Sequence, residues 1–184
     1  MMDTWILPVI GLALAFGGFA LRLKSRGGKP LLALLALPLC VAAGILGAKM
    51  LYMLAMMTHY AWEELTALNP ERMSVFGGAV GVCLGVALAA WWMRSKPLDA
   101  LDAFAPCGAL LLGFVRAAEY GMGYLGAGTY LEDGHLFARF PLGIQDEWGI
   151  VWFLSVCTLE ALAALGVAVV FFLRNKPAFF RPPV

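Results

Sequence analysis

The chain has 184 residues, of which 62% are hydrophobic and 14% charged, and its formal net charge is +1. A soluble domain carries about 25% charged residues, so this composition excludes an ordinary soluble fold. The net charge itself says nothing about nucleic acid, but no basic patch is large enough to suggest it as a partner. Most side chains must therefore face lipid or the interior of a helix bundle.

Five apolar stretches are long enough to cross a bilayer, because about 20 helical residues span roughly 30 Å of hydrocarbon. In chain order they cover residues 5–21, 31–57, 73–93, 103–125 and 148–173. The first has the length of a signal peptide, but its basic residues follow the apolar run, so we interpret it as a retained helix. The sequence therefore predicts an all-α polytopic bundle of five transmembrane helices, forming a single membrane domain over 1–184.

The lysines and arginines between these stretches predict the orientation of the chain. If the helices alternate, two basic residues, Arg72 and Arg139, fall on the side where the acidic residues gather. Nine fall on the opposite side: Arg22, Lys24, Arg26, Lys29, Arg94, Lys96, Arg174, Lys176 and Arg181. Basic residues concentrate in cytoplasmic loops, so we expect the N-terminus outside and the C-terminus in the cytoplasm.

Four ionisable residues lie inside the predicted spans, namely Lys49, Arg116, Glu119 and Glu160. A charge near the bilayer centre costs roughly 2.5–3.5 kcal/mol, so such groups face the bundle interior and commonly mark functional sites. Glu119 and Tyr120 share a helical face with Arg116, at spacings of three and four. One interpretation is that Arg116 binds an anionic lipid group; the alternative is that Glu119 or Glu160 neutralises Arg116 and joins helices. Lys49 could also extend to the membrane surface.

Small residues form a second pattern in the third stretch. Gly77, Gly81 and Gly85 are spaced by four, which lets another helix backbone approach closely. For Gly81 and Gly85 we predict packing alone, whereas the Gly77–Gly78 pair near the outer surface could also admit a ligand. The four cysteines stand singly in apolar runs, so we predict no disulfide, no metal site and no cofactor.

The order of four short stretches resembles the prolipoprotein diacylglyceryl transferases, bacterial inner-membrane enzymes of lipoprotein biosynthesis. GAKMLYML (47–54), SVFGGAVG (74–81), DAFAP (102–106) and GFVRAAEYGMG (113–123) are similar to that family's "GxRxxYxL", "SFHGGLxG", "DFxAP" and "GRxxNFxNGE" stretches. The family transfers a diacylglyceryl group from phosphatidylglycerol to a lipoprotein cysteine.

The resemblance implies a site for a phosphatidylglycerol-like phospholipid in the plasma membrane. Lys49, Tyr52 and the Gly77–Gly78 pair would line the headgroup pocket, and Arg116 would hold the phosphate. Glu119 or Tyr120 would serve as a base, with His59 as a further candidate.

The departures from the family pattern leave two interpretations open. Phe76 stands where the family carries a histidine, Glu119 replaces an asparagine and Tyr124 replaces a glutamate. The family's two further C-terminal helices, one with another arginine, have no expected counterpart. The chain thus resembles a shortened, divergent relative. It would be either a phospholipid-dependent transferase or a catalytically degenerate lipid-binding or structural subunit, with a membrane-protein partner or a homo-oligomer as expected assembly. A transporter is less favoured, because no inverted repeat is visible.

The predicted orientation places residues 24–29 and 94–99 in the cytoplasm and residues 60–71 and 127–147 outside. Single cysteines placed in these four segments of a cysteine-free variant should therefore react differently with a membrane-impermeant thiol reagent. We expect intact cells to be labelled in 60–71 and 127–147 only. A cysteine in 127–147 that reacts only after permeabilisation would reverse the orientation.

Overall fold

A computed structural model describes residues 6–55, 72–121, 130–131, 136, 142–145 and 152–174. Within these ranges the chain forms five helices: α1 (Ile6–Ser25), α2 (Leu31–Ala55), α3 (Val75–Trp92), α4 (Pro97–Gly121) and α5 (Val156–Arg174). All five are long and apolar enough to cross a membrane. The prediction of an all-α bundle with five spanning helices is confirmed, while its orientation stays a prediction.

Two helices, α4 and α5, begin more than two residues away from the predicted positions. α4 starts at Pro97 and not near 103. A proline suits the first helical position, where no N–H is needed, and Asp99 in the first turn interacts favourably with the helix dipole. α5 starts at Val156, so the prediction of a helix from 148 is wrong for residues 152–154, which form a strand.

A small antiparallel sheet precedes α5 and was not predicted. Its strands are β1 (Tyr130–Leu131), β2 (Gly143–Gln145) and β3 (Trp152–Leu154), in the order β1-β3-β2. Phe153 is paired with Tyr130 on one side and with Ile144 on the other. Residues 132–142 and 146–151 separate these strands, and strands of two or three residues are too short to show a periodic pattern in the sequence.

Ser155 links this sheet to α5. It is fully buried, and its N–H donates to the carbonyl of Leu142 at 2.7 Å. Its Oγ accepts from the N–H of Thr158 at 3.2 Å and hydrogen-bonds the Thr158 hydroxyl at 2.7 Å. A serine that accepts from an N–H three residues on is a preferred helix N-cap, so Ser155 fixes where α5 begins.

The chain divides into two compact units. One consists of Phe19–Phe104 and therefore contains the whole of α2 and α3; the other consists of Met1–Gly18 and Ala105–Val184. In the second of these, Gly113 on α4 lies directly against the Leu165 side chain of α5. This contact brings α4 and α5 together along the stretch that carries the charged residues.

Within Phe19–Phe104, α2 and α3 pack backbone against backbone. A Cβ on Gly77 would overlap the carbonyl oxygen of Gly47, and a Cβ on Gly81 would overlap that of Ala43. A Cβ on Gly85 would lie 2.8 Å from Cα of Cys40. The small-residue stripe of α3 is therefore a packing surface, as predicted for Gly81 and Gly85.

The same turn, made by two hydrogen bonds, ends both α1 and α3. After α1, Gly28 N–H donates to Leu23 O at 2.8 Å, and Gly27 N–H donates to Lys24 O at 3.2 Å. After α3, Ser95 N–H donates to Ala90 O at 2.8 Å, and Arg94 N–H donates to Trp91 O at 3.0 Å. Both are Schellman motifs, which place one residue in the left-handed region. That residue is Gly27 in one turn and Arg94, with φ of 53°, in the other.

Replacing Gly81 with alanine should separate α2 from α3, because the added methyl group has no space beside the backbone of Ala43. We expect a loss of about 1–3 kcal/mol, as for other overpacked interiors. Gly78→Ala is the matched control, since its Cβ would meet Ala48 Cβ at 3.6 Å, an ordinary contact. Thermal unfolding in detergent measures both variants; equal melting temperatures would contradict the packing argument.

Candidate functional site

The charged residues of α4 and α5 meet in one cluster. Nη1 of Arg116 pairs with Oε2 of Glu119 one turn further along α4, and Nη2 pairs with Oε2 of Glu160 on α5. The side chains of Arg116 and Glu119 are only 16% and 19% exposed, whereas that of Glu160 is 42% exposed. One guanidinium therefore pairs with a carboxyl group on its own helix and joins that helix to α5 through a second one.

Cys157 completes this group, which we call the Arg116 cluster (Arg116, Glu119, Cys157 and Glu160). Cys157 is buried, and its Sγ lies 3.9 Å from Nη1 of Arg116. Residues 157 and 160 are three apart on α5, so both project from the same helical face. The packing of Gly113 against Leu165 holds that face close to α4.

The cluster has no surplus positive charge. It contains one guanidinium and two carboxyl groups, so acidic groups outnumber the cation. The N–H at Nε of Arg116 is buried and has no hydrogen-bond partner among the described residues. The cluster thus keeps an unpaired donor at Nε but does not attract anions by charge.

Tyr120 connects α4 to the small sheet. Its hydroxyl donates to the carbonyl of Gly143 on β2 at 3.1 Å. This bond fixes the sheet beside the turn of α4 that follows Arg116. The predicted role of Tyr120 as a base remains a prediction, and its hydroxyl serves at least one structural bond.

The other predicted lipid-binding residues lie on α2 and α3. Ser74 N–H donates to Ala48 O at 3.0 Å, which sets the first turn of α3 beside Lys49. Gly77 is buried against Gly47, and Gly78 lies next to Ala48. Lys49 itself is 3% exposed, so protein atoms cover it and it does not extend to the surface. Tyr52 is half-buried one turn beyond Ala48.

The structure thus gathers the predicted residues into two groups, in different units. Lys49, Tyr52, Gly77 and Gly78 belong to Phe19–Phe104, and Arg116, Glu119 and Tyr120 belong to the other unit. Phe76, which the resemblance sets against the family's histidine, is 76% exposed. His59 and Tyr124 lie outside the described residues.

Two members of the site were not predicted as functional from the sequence. Cys157 was interpreted as a buried hydrophobic residue, although its spacing of three from Glu160 was a usable signal. Gly143 lies in a stretch that had no predicted structure. Among the described residues, no group of three His, Cys, Asp or Glu side chains could hold a metal ion.

The fold and the cluster define a polytopic helical membrane protein with ionisable residues inside its bundle. The model of the prolipoprotein diacylglyceryl transferase family matches residues 6–129, and the chain belongs to that family. It is accordingly a multi-pass protein of the bacterial plasma membrane. No curated protein sequence and no solved structure matches the chain significantly. The matched region includes Arg116 and Glu119, whereas Cys157 and Glu160 lie beyond it.

Arg116→Leu should destabilise the fold, because it leaves Glu119 and Glu160 without their shared cation. Breaking a fully buried ion pair costs about 3–5 kcal/mol; for this partly exposed cluster we expect about 1–3 kcal/mol. The triple variant Arg116→Leu/Glu119→Gln/Glu160→Gln removes all three charges and should recover most of the loss. Thermal unfolding in detergent compares the two, and a triple variant no more stable than Arg116→Leu would show that the ion pairs do not join the helices.

Proposed function

We propose that this protein is a catalytically degenerate member of the prolipoprotein diacylglyceryl transferase family, acting as a lipid-binding or structural component of the plasma membrane. The observation that carries the proposal is the double pairing of Arg116 with Glu119 and Glu160. An arginine that holds a substrate phosphate needs an uncompensated positive charge, and the charge of Arg116 is already neutralised by carboxyl groups.

The chemistry of the family sets two requirements that this site meets poorly. Transfer forms a thioether between a cysteine sulfur and a glyceryl carbon, breaks the bond from that carbon to a phosphate oxygen, and takes up the thiol proton. The departing glycerol phosphate must be stabilised by preorganised cations or hydrogen-bond donors. Carboxyl groups at 119 and 160 oppose that stabilisation, because they repel a developing phosphate anion.

The thiol must also lose its proton, since the thiolate is the nucleophile. Phe76 occupies the position at which the family carries a histidine, and a phenyl ring accepts no proton. The Phe76 side chain is 76% exposed on the first turn of α3. It has the character of a lipid-facing or partner-facing residue.

The second candidate is the family's own activity, the transfer of a diacylglyceryl group from a phosphatidylglycerol-type lipid. Two observations favour it: the family match over residues 6–129 and the unsatisfied N–H at Nε of Arg116. In that case Arg116 would offer Nε to the phosphate, with Glu119 or Tyr120 taking the thiol proton.

Complementation separates the two candidates. The wild-type chain is expressed in a bacterium depleted of its own prolipoprotein diacylglyceryl transferase, and growth and the mass of a model lipoprotein are measured. We expect no growth and no diacylglyceryl addition. Phe76→His should not restore activity either, because Glu119 and Glu160 still neutralise Arg116.

An active enzyme of the family is the positive control, and an immunoblot of the membrane fraction confirms that each variant is inserted. Diacylglyceryl addition by the wild-type chain, lost in Arg116→Leu, would establish the transferase activity and overturn our proposal.

A further inference from the structure

A cavity of about 400 Å³ opens within the Phe19–Phe104 unit where α1 and α3 end and α2 and α4 begin. Its lining carries three cationic side chains, those of Arg26, Lys29 and Lys96, and one carboxylate, that of Asp99. All four residues are exposed at the rim. We call this cavity the basic cleft.

The two Schellman turns build the rim of the cleft. The turn after α1 reverses the chain at Gly27 and Gly28, so Arg26 and Lys29 stand on either side of it. The turn after α3 does the same at Arg94 and leads directly into Lys96. An ion pair between Arg26 and Asp102, with Nη1 and Oδ2 2.5 Å apart, ties the end of α1 to the first turns of α4.

The cleft keeps a positive surplus, in contrast to the Arg116 cluster. Segments 22–29 and 94–102 together contain six lysines and arginines and two aspartates. One cation, Arg22, is 4% exposed and donates through Nε to the carbonyl of Ala103 at 3.0 Å, so it lies beneath the rim. If the ion pair between Arg26 and Asp102 is set aside, the rim still carries two lysines, Lys29 and Lys96, against one carboxylate, that of Asp99.

The floor of the cleft is apolar. Leu23, Leu32 and Ala103 line it and are 7%, 1% and 0% exposed. A small inorganic anion needs donors on several sides, and an apolar floor supplies none. An amphiphile fits both the rim and the floor. Its anionic group would contact the cationic rim, and its glycerol and first acyl carbons would lie on the apolar floor.

Aromatic residues place the cleft at headgroup depth. Trp91 and Trp92 end α3 just before the turn that forms the rim, and they are 71% and 67% exposed. Exposed tryptophans at the end of a spanning helix sit at the level of the lipid headgroups. A second hollow, of about 450 Å³, lies between these tryptophans and Arg94.

We infer that the basic cleft binds the phosphate of an anionic phospholipid at the membrane face that carries the basic loops. Basic clusters next to spanning helices attract anionic headgroups, and basic pockets between such helices bind them specifically. Lys29 and Lys96 contact the phosphate, and the buried floor accepts the glycerol backbone. This site involves none of the residues of the Arg116 cluster.

Native mass spectrometry of the full chain in mild detergent tests the inference, with dioleoyl phosphatidylglycerol as the anionic probe and dioleoyl phosphatidylcholine as the neutral one. Wild-type protein should retain the anionic lipid preferentially. Each lysine near an anionic headgroup is worth on the order of fivefold in affinity, so Lys29→Gln/Lys96→Gln should weaken binding by roughly tenfold or more.

Two further variants exclude trivial explanations. Lys24→Gln/Arg174→Gln removes the same amount of charge from exposed positions outside the cleft and should bind like wild type. Asp99→Asn removes the one carboxylate of the lining and should tighten binding severalfold, a gain that misfolding cannot produce.

Three outcomes would overturn the inference. Unchanged binding by Lys29→Gln/Lys96→Gln would exclude the cleft, and equal weakening by Lys24→Gln/Arg174→Gln would reduce the effect to general surface charge. Displacement of the lipid by millimolar glycerol phosphate or inorganic phosphate would show that a soluble phosphate, and not a membrane lipid, is the ligand.

Discussion

A cation inside a bilayer needs an acidic partner, and Arg116 has two. Its guanidinium pairs with Glu119 on its own helix and with Glu160 on α5. The close approach of α4 and α5 at Gly113 makes both pairs possible, and the Tyr120–Gly143 bond adds the small sheet to the same region. Both Nη atoms of Arg116 are thereby engaged, whereas the buried N–H at Nε has no hydrogen-bond partner among the described residues.

The four residues of the Arg116 cluster fall on both sides of the limit of the family match. The family match ends at residue 129, and Glu160 and Cys157 lie after it. Arg116 therefore pairs with one carboxyl group inside the matched region and with one beyond it. Membership of the family does not by itself determine the chemistry of this site, since function resides in the site and not in the fold.

Hydropathy was sufficient to predict five spanning helices, because apolar length is a signal that each segment carries by itself. The start of α4 was predicted late because the LDALD stretch after Pro97 is polar, although helix propensity permits it. The start of α5 was predicted early because the residues that pair with Trp152–Leu154 lie seven or more positions away in sequence. The sequence offered Glu119 and Glu160 as alternative partners of Arg116, but only the packing of α4 against α5 shows that Arg116 pairs with both.

The glycine contacts illustrate the same difference between local and non-local information. A spacing of four predicted close packing along α3, yet the sequence did not distinguish Gly77, which lies against the backbone of Gly47, from Gly78, which has space for a methyl group. That distinction depends on the exact rotation of α3 against α2. Similarly, the basic loops predicted an orientation of the chain. The basic cleft could not be predicted, because it depends on how the ends of α1 and α3 pack against the starts of α2 and α4.

The backbone contact between α2 and α3 also determines how this pair responds to bilayer thickness. At 1.5 Å per residue, the 25 residues of α2 extend about 37 Å and the 18 residues of α3 about 27 Å. Helices that interlock at Gly47, Gly77 and Gly81 cannot slide past each other to match the hydrocarbon. Hydrophobic mismatch must then be absorbed by tilting of the pair as one body or by local thinning of the lipid beside α3. The shorter helix would thereby set the preferred membrane thickness around this part of the protein.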